Sequence, residues 1–89
     1  MKEFDFVLNC EEATQMKALA LLIQKASSFT SSVHIQSGNK RANAKSLLGL
    51  MSLGLNNGDE IKIIAEGKDE EEAAQAVGSW LQNPVFDEE

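Results

Sequence analysis

Only a few side chains in this 89-residue sequence are of the types that carry out chemistry in enzymes. His34 is the one histidine, so acid–base, phosphohistidine or histidine–metal chemistry would depend on it, but the alternation around it favours a solvated position in a strand. Cys10 is the one cysteine, and without a base beside it or a second thiol it supports neither nucleophilic catalysis, nor an internal disulfide, nor a four-ligand zinc site. We therefore expect no metal ion, no cofactor, and a binding or carrier module instead of an enzyme.

The pair Lys45-Ser46 resembles the end of a phosphate-binding loop. That loop requires a glycine directly before the lysine and another five residues earlier, where this chain has Ala44 and Asn39. The pattern instead predicts Ser46 as the N-cap of a short helix over residues 47–53. A phosphoryl group on Ser46 would add about −1.5 to −2 charges beside unpaired backbone N–H groups, so modification need not unfold this helix. Ser46 is therefore a candidate switch.

The predicted helix after Ser46 is too short to bury all of its apolar residues. A helix of barely two turns packs on one side only, so some of these side chains must stay on the surface, beside basic residues. An apolar patch with a basic rim is a candidate docking surface for a protein partner; an ordinary core helix with a few exposed residues is the alternative. The predicted docking residues are Lys17, Lys45, Leu47, Leu48 and Met51.

Charge is unevenly distributed along the chain. Between Ala13 and Gly58 there are five basic residues and no aspartate or glutamate, whereas the formal net charge of the whole chain is −6. The overall charge argues against direct binding to nucleic acid or to a membrane surface. The acid-free segment either forms a positive face for an anionic partner, or the acids at the two ends simply cap helices and solvate those ends.

Length and hydropathy limit the class of protein. Eighty-nine residues suffice for one small domain, so we expect residues 1–89 to form a single domain. The chain carries acids near its start, where a signal peptide is basic, and its longest apolar run, residues 18–23, is too short to span a membrane. Together with the single cysteine, these features predict a cytoplasmic protein.

Hydrophobic periodicity predicts seven elements that position these residues. Apolar and polar side chains alternate, as in strands, over residues 2–8, 33–36, 41–44 and 60–66. A spacing of three and four predicts helices over residues 15–28, 47–53 and 69–82. Every strand has one polar side, so the three helices should cover a single face of a four-stranded antiparallel sheet. The predicted fold is α+β, an open-faced β-sandwich of order βαββαβα.

Two details of the helices follow from the same patterns. The last helix is predicted to begin with Asp69 as its N-cap and Glu72 completing a capping box. In the first helix, the predicted buried stripe is Met16, Leu19, Ala20, Ile23 and Ala26.

Four segments of the sequence resemble the HPr family of the bacterial sugar phosphotransferase system. They are Lys25-Ala-Ser-Ser-Phe29, Asn43-Ala-Lys-Ser-Leu47, Gly49-Leu-Met-Ser-Leu-Gly54 and the helix from Asp69 to Trp80, and the resemblance covers essentially the whole chain. It implies an open-faced β-sandwich with the same element order. It also implies a phosphocarrier protein family that is not enzymatic.

The resemblance assigns a position in the family to Gln15 and to Ser46. HPr proteins carry a phosphoryl group on a histidine that opens the first helix, where this chain has Gln15, with Lys17 and Ala18 in place of the family's arginine and proline. Ser46 falls on the family's regulatory serine, which HPr kinase/phosphorylase phosphorylates in Gram-positive relatives. The phosphorylated product binds catabolite control protein A, a transcription repressor. One branch of the family, Crh, has glutamine in place of the histidine and keeps the serine, and this chain is similar to Crh in both features.

The resemblance therefore implies a regulatory protein of carbon catabolite control that is phosphorylated on Ser46. Its expected partners are a kinase and a repressor of these two kinds, with no direct contact to nucleic acid or membrane. Two alternatives remain open: an interaction module of the same fold that has lost both phosphorylation functions, and a phosphocarrier that uses a residue other than histidine. We expect a monomer or a weak dimer, because edge strands can pair between chains.

Overall fold

A computed structural model describes residues 1–84 of the chain. Its elements follow one another in the order βαββαβα, as predicted, with a short 3₁₀ turn at Glu12–Thr14 before the first helix. The strands are β1 (Lys2–Val7), β2 (Ser32–Ser37), β3 (Lys40–Asn43) and β4 (Glu60–Glu66), and the helices are α1 (Gln15–Ser27), α2 (Leu47–Ser52) and α3 (Glu70–Gln82). The strands form one sheet in the spatial order β1-β4-β2-β3, and all neighbouring strands are antiparallel.

The sheet is covered by helices on one face only. Ile35 of β2 pairs with Ala42 of β3 and with Ile63 of β4, and all three side chains are buried on the covered face. Alternate residues of a strand point to opposite faces, so His34 and Lys62 lie on the open face, where both are only partly buried. The predicted α+β fold, an open-faced sandwich with three helices on one face, is confirmed.

The buried side of α1 is rotated from the one that the sequence predicts. The helix buries Ala18, Leu19, Leu22 and Ala26, whereas Met16 and Ala20, two members of the predicted stripe, are exposed. Met16 lies in the first turn of α1, which faces α2 across a shallow groove and not the sheet. Periodicity predicted the helix correctly, but the choice of buried face was wrong for these two residues.

Asp69 is the N-cap of α3 but does not cap it with its side chain, so the predicted capping box with Glu72 is wrong. The Asp69 carboxylate instead accepts hydrogen bonds from the backbone N of Thr30 at 3.1 Å, from the backbone N of Ser31 at 2.9 Å, and from the Ser31 hydroxyl. The hydroxyl of Ser31, followed by the backbone donors, lowers the pKa of Asp69 to about 2. The start of α3 is therefore tied to the segment that follows α1.

A glycine allows α3 to pack closely on β1. A Cβ atom built on Gly78 would lie 1.9 Å from Cε2 of Phe6, far closer than two carbon atoms can approach. Gly78 is buried in the middle of α3, where glycine is otherwise unfavourable. The contact between helix and strand therefore requires the missing side chain at this position.

The topology separates the two charge classes of the sequence in space. The acid-free segment, residues 13–58, forms α1, β2, β3 and α2, while β1, β4 and α3 come from the two acidic ends. In the sheet, β2 and β3 are neighbours on one side, and β1 and β4 are neighbours on the other. Within residues 1–84, no helix combines the length and the apolar character needed to cross a membrane.

Candidate functional site

Ser46 is the N-cap of α2, as the sequence predicts. Its backbone is extended, with φ −119° and ψ 113°, and its Oγ accepts a hydrogen bond from the backbone N of Gly49 at 3.2 Å. The carbonyl of Ser46 accepts the first helical bond, from the backbone N of Leu50 at 3.0 Å. The side chain is half-buried, and the helix that it caps has six residues. The hydroxyl thus lies at the accessible start of a short helix.

Lys45, the residue before Ser46, has its ammonium group on the backbone of another segment. Its Nζ donates to the carbonyl oxygen of Phe29 at 3.2 Å and to that of Ser31 at 3.1 Å. Its backbone N donates to Oδ1 of Asn43 at 2.8 Å. Lys45 is half-buried, so both its main chain and the end of its side chain are held by other parts of the molecule.

Gln15 is the first residue of α1 and is also held by a hydrogen bond. Its Nε2 donates to the carbonyl oxygen of Leu55 at 2.8 Å, just beyond α2, and its side chain is half-buried. The first turn of α1 contains no acidic residue, and its N-cap Thr14 makes no side-chain bond to the helix. A carboxamide is not a nucleophile, so Gln15 can connect the two helices but cannot accept a phosphoryl group as an imidazole does.

Four apolar side chains form an exposed surface next to Gln15, which we call the apolar patch. Leu48 is 79% exposed, Met16 54%, Met51 51% and Leu47 40%. Between α1 and α2 the patch borders a shallow groove of about 150 Å³ whose lining includes Gln15, Met16 and Met51. The sequence-predicted docking residues Leu47, Leu48 and Met51 therefore lie together on one exposed surface.

Met16 belongs to this surface but was not among the predicted docking residues. Its spacing matched the core stripe of α1, and spacing alone does not say which face of a helix meets the sheet. The sequence feature that could have indicated its exposure is its position in the first turn of α1, directly after Gln15.

The two lysines predicted to rim the patch lie in different places. Lys17 is exposed in the first turn of α1, one residue after Met16. The Lys45 ammonium contacts the segment after the other end of α1, and about 15 Å of helix axis separates Lys17 from Ser27, given a rise of 1.5 Å per residue. Lys17 thus lies at the end of α1 that carries Met16, while the Lys45 ammonium group is directed to the segment that follows the other end.

The part of the chain that the structure describes offers no metal-binding cluster at this surface. Among residues 1–84, no group of three or more His, Cys, Asp or Glu side chains is arranged to hold a metal ion. His34 lies on the open face of the sheet, whereas Gln15 and Ser46 belong to the helical layer. Burial, with a smaller contribution from Glu11, raises the pKa of the buried Cys10 thiol and makes it a poorer nucleophile.

Comparison with known proteins identifies the family. A family model described as "PTS HPr component phosphorylation site" matches residues 2–83 of the chain. The chain belongs to the HPr family. It is 42% identical over 71 residues to the HPr-like protein Crh of Bacillus subtilis (strain 168), across 80% of this chain and 84% of that protein. The Crh-like resemblance seen in the sequence is thereby confirmed.

Solved structures of HPr-family proteins share the fold. The crystal structure of HPr-C-His from Thermoanaerobacter tengcongensis superposes with a TM-score of 0.85 at 40% identity, over 91% of each chain. The crystal structure of Crh from Bacillus subtilis has a TM-score of 0.74 at 35% identity, over 92% of this chain and 90% of that one. That Crh structure is described as an intertwined, domain-swapped dimer.

Proposed function

We propose that this HPr-family protein is a regulatory protein of the bacterial phosphotransferase system and of carbon catabolite control. It is phosphorylated on Ser46 and acts by binding other proteins, without enzymatic activity and without phosphoryl transfer through a histidine. The observation that carries the proposal is the position of Ser46 at the start of α2, whose Leu47, Leu48 and Met51 side chains are exposed. One helix thus presents both the hydroxyl to be modified and the surface to be bound.

The local structure of Ser46 suits modification without unfolding. The first N–H groups of a helix have no intrahelical partner, and one of these in α2, that of Gly49, already bonds to the Ser46 side chain. A phosphoryl group on Oγ brings about −1.5 to −2 charges and three acceptor oxygens to this end of the helix. The negative charge is favourable at a helix N-terminus, so the modified side chain can remain the N-cap.

Phosphocarrier activity has little support from the residues around Gln15. The family's phosphohistidine position corresponds, in the resemblance, to Gln15, whose amide donates to Leu55. His34, the one histidine of the chain, is on the opposite side of the sheet from the helices. We therefore expect no acid-labile phosphate after incubation with Enzyme I and phosphoenolpyruvate.

The proposed partners are a kinase of the HPr kinase/phosphorylase type and a repressor of the catabolite control protein A type. Docking uses the apolar patch with Lys17 on its rim; the ammonium group of Lys45, the fifth predicted docking residue, is bound to the carbonyl oxygens of Phe29 and Ser31. Nucleic acid is reached only through the repressor, and the protein acts in the cytoplasm as one domain. The protein is proposed to be a monomer or a weak dimer, and the dimer described for Bacillus subtilis Crh supports the second of these.

Phosphorylation is tested with a cognate kinase, ATP and intact-mass spectrometry. We expect one added phosphate on the unmodified chain, none on Ser46→Ala, and one on the control Ser52→Ala, which changes an exposed serine at the other end of α2. No incorporation into the wild-type chain would overturn the proposal. An acid-labile phosphate from Enzyme I would instead support the phosphocarrier alternative.

Docking is tested separately with the phosphorylated protein and the repressor. Leu48→Ser removes the most exposed side chain of the patch and should weaken binding about tenfold or more, which is 1.4 kcal/mol, without lowering stability. Val7→Ser is the matched control, because Val7 is an exposed apolar residue of the edge strand β1. Equal effects of the two substitutions would contradict docking at α2. Capture of a partner by unmodified protein, unchanged by Ser46→Asp, would favour the alternative of an interaction module without phosphorylation.

A further inference from the structure

Residues 29–31, which connect α1 to β2, are held from two sides by opposite charges. The Lys45 ammonium group accepts no hydrogen bonds and donates to the carbonyl oxygens of Phe29 and Ser31, at 3.2 and 3.1 Å. The Asp69 carboxylate accepts hydrogen bonds from the backbone N of Thr30 and of Ser31, at 3.1 and 2.9 Å, and from the buried Ser31 hydroxyl. Hydrogen bonds therefore hold this segment to the start of α3 on one side and to Lys45 on the other.

Lys45 connects residues 29–31 to Ser46 through hydrogen bonds at both of its ends. The backbone N of Lys45 donates to Oδ1 of Asn43, and the backbone N of Ser46 donates to the Asn43 carbonyl at 3.0 Å. The two ends of Lys45 are thus both bound, one to the turn that follows β3 and one to residues 29–31. The next residue in the chain is the N-cap of α2. Hydrogen bonds from a charged donor are stronger than neutral ones, and here the donor is half-buried, where water competes less.

We propose that Lys45 is a positioning residue for Ser46. Its ammonium group fixes the backbone that presents the Ser46 hydroxyl, and it does not contact the docking partner. This inference rests on the proposed phosphorylation of Ser46, but its structural part concerns the unmodified protein. A positioning role and a docking role make different predictions. Loss of a positioning lysine should disturb the unmodified protein, whereas loss of a docking lysine should weaken only partner binding; here two of the three ammonium donors are bound to carbonyl oxygens of the chain itself.

The test compares Lys45→Met with Lys45→Arg. Methionine keeps much of the aliphatic stem but has no donor, whereas the arginine guanidinium can donate to two carbonyl oxygens. Lys40→Met is the control for loss of a positive charge, since Lys40 is exposed at the start of β3, outside the proposed docking surface. Val77→Ala, a buried position in α3 about two turns after Asp69, is the control for a general loss of stability.

The first readout is amide hydrogen exchange of Gly49 in the unmodified protein, measured by NMR. Because the N–H of Gly49 bonds to the Ser46 hydroxyl, its exchange rate reports how well the cap is held. We expect an increase of about tenfold in Lys45→Met, the factor that corresponds to 1.4 kcal/mol, and a rate near wild type in Lys45→Arg and Lys40→Met. The second readout is kcat/KM for phosphorylation by the kinase, which should fall in Lys45→Met and recover in Lys45→Arg.

Three results would overturn the inference. One is Gly49 exchange in Lys45→Met that matches wild type. Another is an equal acceleration in Val77→Ala, since the effect would then follow global stability. The third is weaker repressor binding by Lys45→Met than by wild type, with the difference in affinity vanishing at high salt. That result is expected for a screened contact with an acidic partner. If the wild-type chain takes up no phosphate, the proposed function fails, and the exchange comparison still decides the structural role of Lys45.

Discussion

Ser46 makes two separable contributions, one as a helix cap and one as the proposed site of modification, and substitution can distinguish them. Ser46→Ala removes the oxygen that accepts from the backbone N of Gly49 and leaves that N–H without its partner. Ser46→Asp keeps an acceptor at the same place and adds a negative charge at the start of α2. Both variants prevent phosphorylation, so any difference in stability between them comes from capping and charge alone.

The expected magnitude follows from the geometry of the cap. Loss of a serine cap usually costs about 0.5–2 kcal/mol in the free energy of unfolding, and aspartate is as good a cap as serine. The N···O distance of 3.2 Å is at the long end for such a bond, and the side chain is half-buried, so we expect about 1 kcal/mol for Ser46→Ala. For a domain of this size, 1 kcal/mol lowers Tm by roughly 4–8 °C. Ser46→Asp and the phosphorylated protein should lie within about 0.5 kcal/mol of wild type or above it.

The assay is urea unfolding followed by fluorescence of Trp80, the one tryptophan of the chain. The slope of free energy against urea should be the same for all variants, so that midpoints report stability. Ser52→Ala is the control, because its hydroxyl donates to the Gly49 carbonyl from the opposite end of α2 and its loss should change little. If Ser46→Asp loses as much stability as Ser46→Ala, negative charge is not tolerated at this cap, and the argument that phosphorylation preserves α2 is wrong.

Three further predictions concern the residues that hold the site and the fold in place. Because its native pKa is lowered to about 2 from 3.8, Asp69 stabilises the fold fully above about pH 4, and this contribution is lost as pH falls toward 2. The difference in unfolding free energy between wild type and Asp69→Asn should therefore shrink over that range in acid titrations. A constant difference would contradict the hydrogen bonds to Asp69. Gly78→Ala should cost about 1–3 kcal/mol or more by chemical denaturation, and less in a Phe6→Leu background if the aromatic ring is the obstacle. Gln15→Ala should lower the free energy of unfolding by about 1 kcal/mol, because it removes the hydrogen bond to the Leu55 carbonyl oxygen. Gln15→Glu should lower it more at neutral pH, because a carboxylate cannot donate a hydrogen bond and would face that carbonyl oxygen. The reverse order would refute the assigned bond.

The elements of the fold could be predicted from the sequence because their signals are local. Strand β4 is an example: Ile61 and Ile63 are buried and Glu60 is exposed, as alternation requires. The N-cap at Ser46 is also a local signal, since the serine and Gly49, whose N–H it accepts, are three residues apart. The HPr resemblance gave the family by the same kind of short motif, and the comparisons confirm it.

Sequence patterns did not predict the contacts between residues that are distant along the chain. Asp69 has the right spacing for a capping box, yet its carboxylate bonds to Ser31, 38 residues away. Lys45 looks like a surface cation, yet its ammonium group bonds to Phe29, 16 residues away. Met16 fits the core stripe of α1, but the packing of α2 against that end of the helix determines its exposure. Periodicity cannot predict these contacts, because the contacts depend on which elements become neighbours in space.

The distribution of charge gives phosphorylation of Ser46 a specific physical effect. Fixed charges are screened beyond about 8 Å at physiological ionic strength, so a partner at the apolar patch responds to the charges nearest to it more than to the net charge of −6. The segment of residues 13–58 carries five basic residues and no acid, and a phosphoryl group of about −1.5 to −2 charges reduces the positive charge of this segment without reversing it. The unmodified surface around Lys17 therefore suits an acidic partner. The modified surface offers a lysine and a phosphate at separate points of the same face, so it suits a partner that carries both an acid and a base. A partner with that pair of charges binds the phosphorylated form better. On the unmodified form the basic group of the partner has no phosphate to pair with, and this difference distinguishes the two forms.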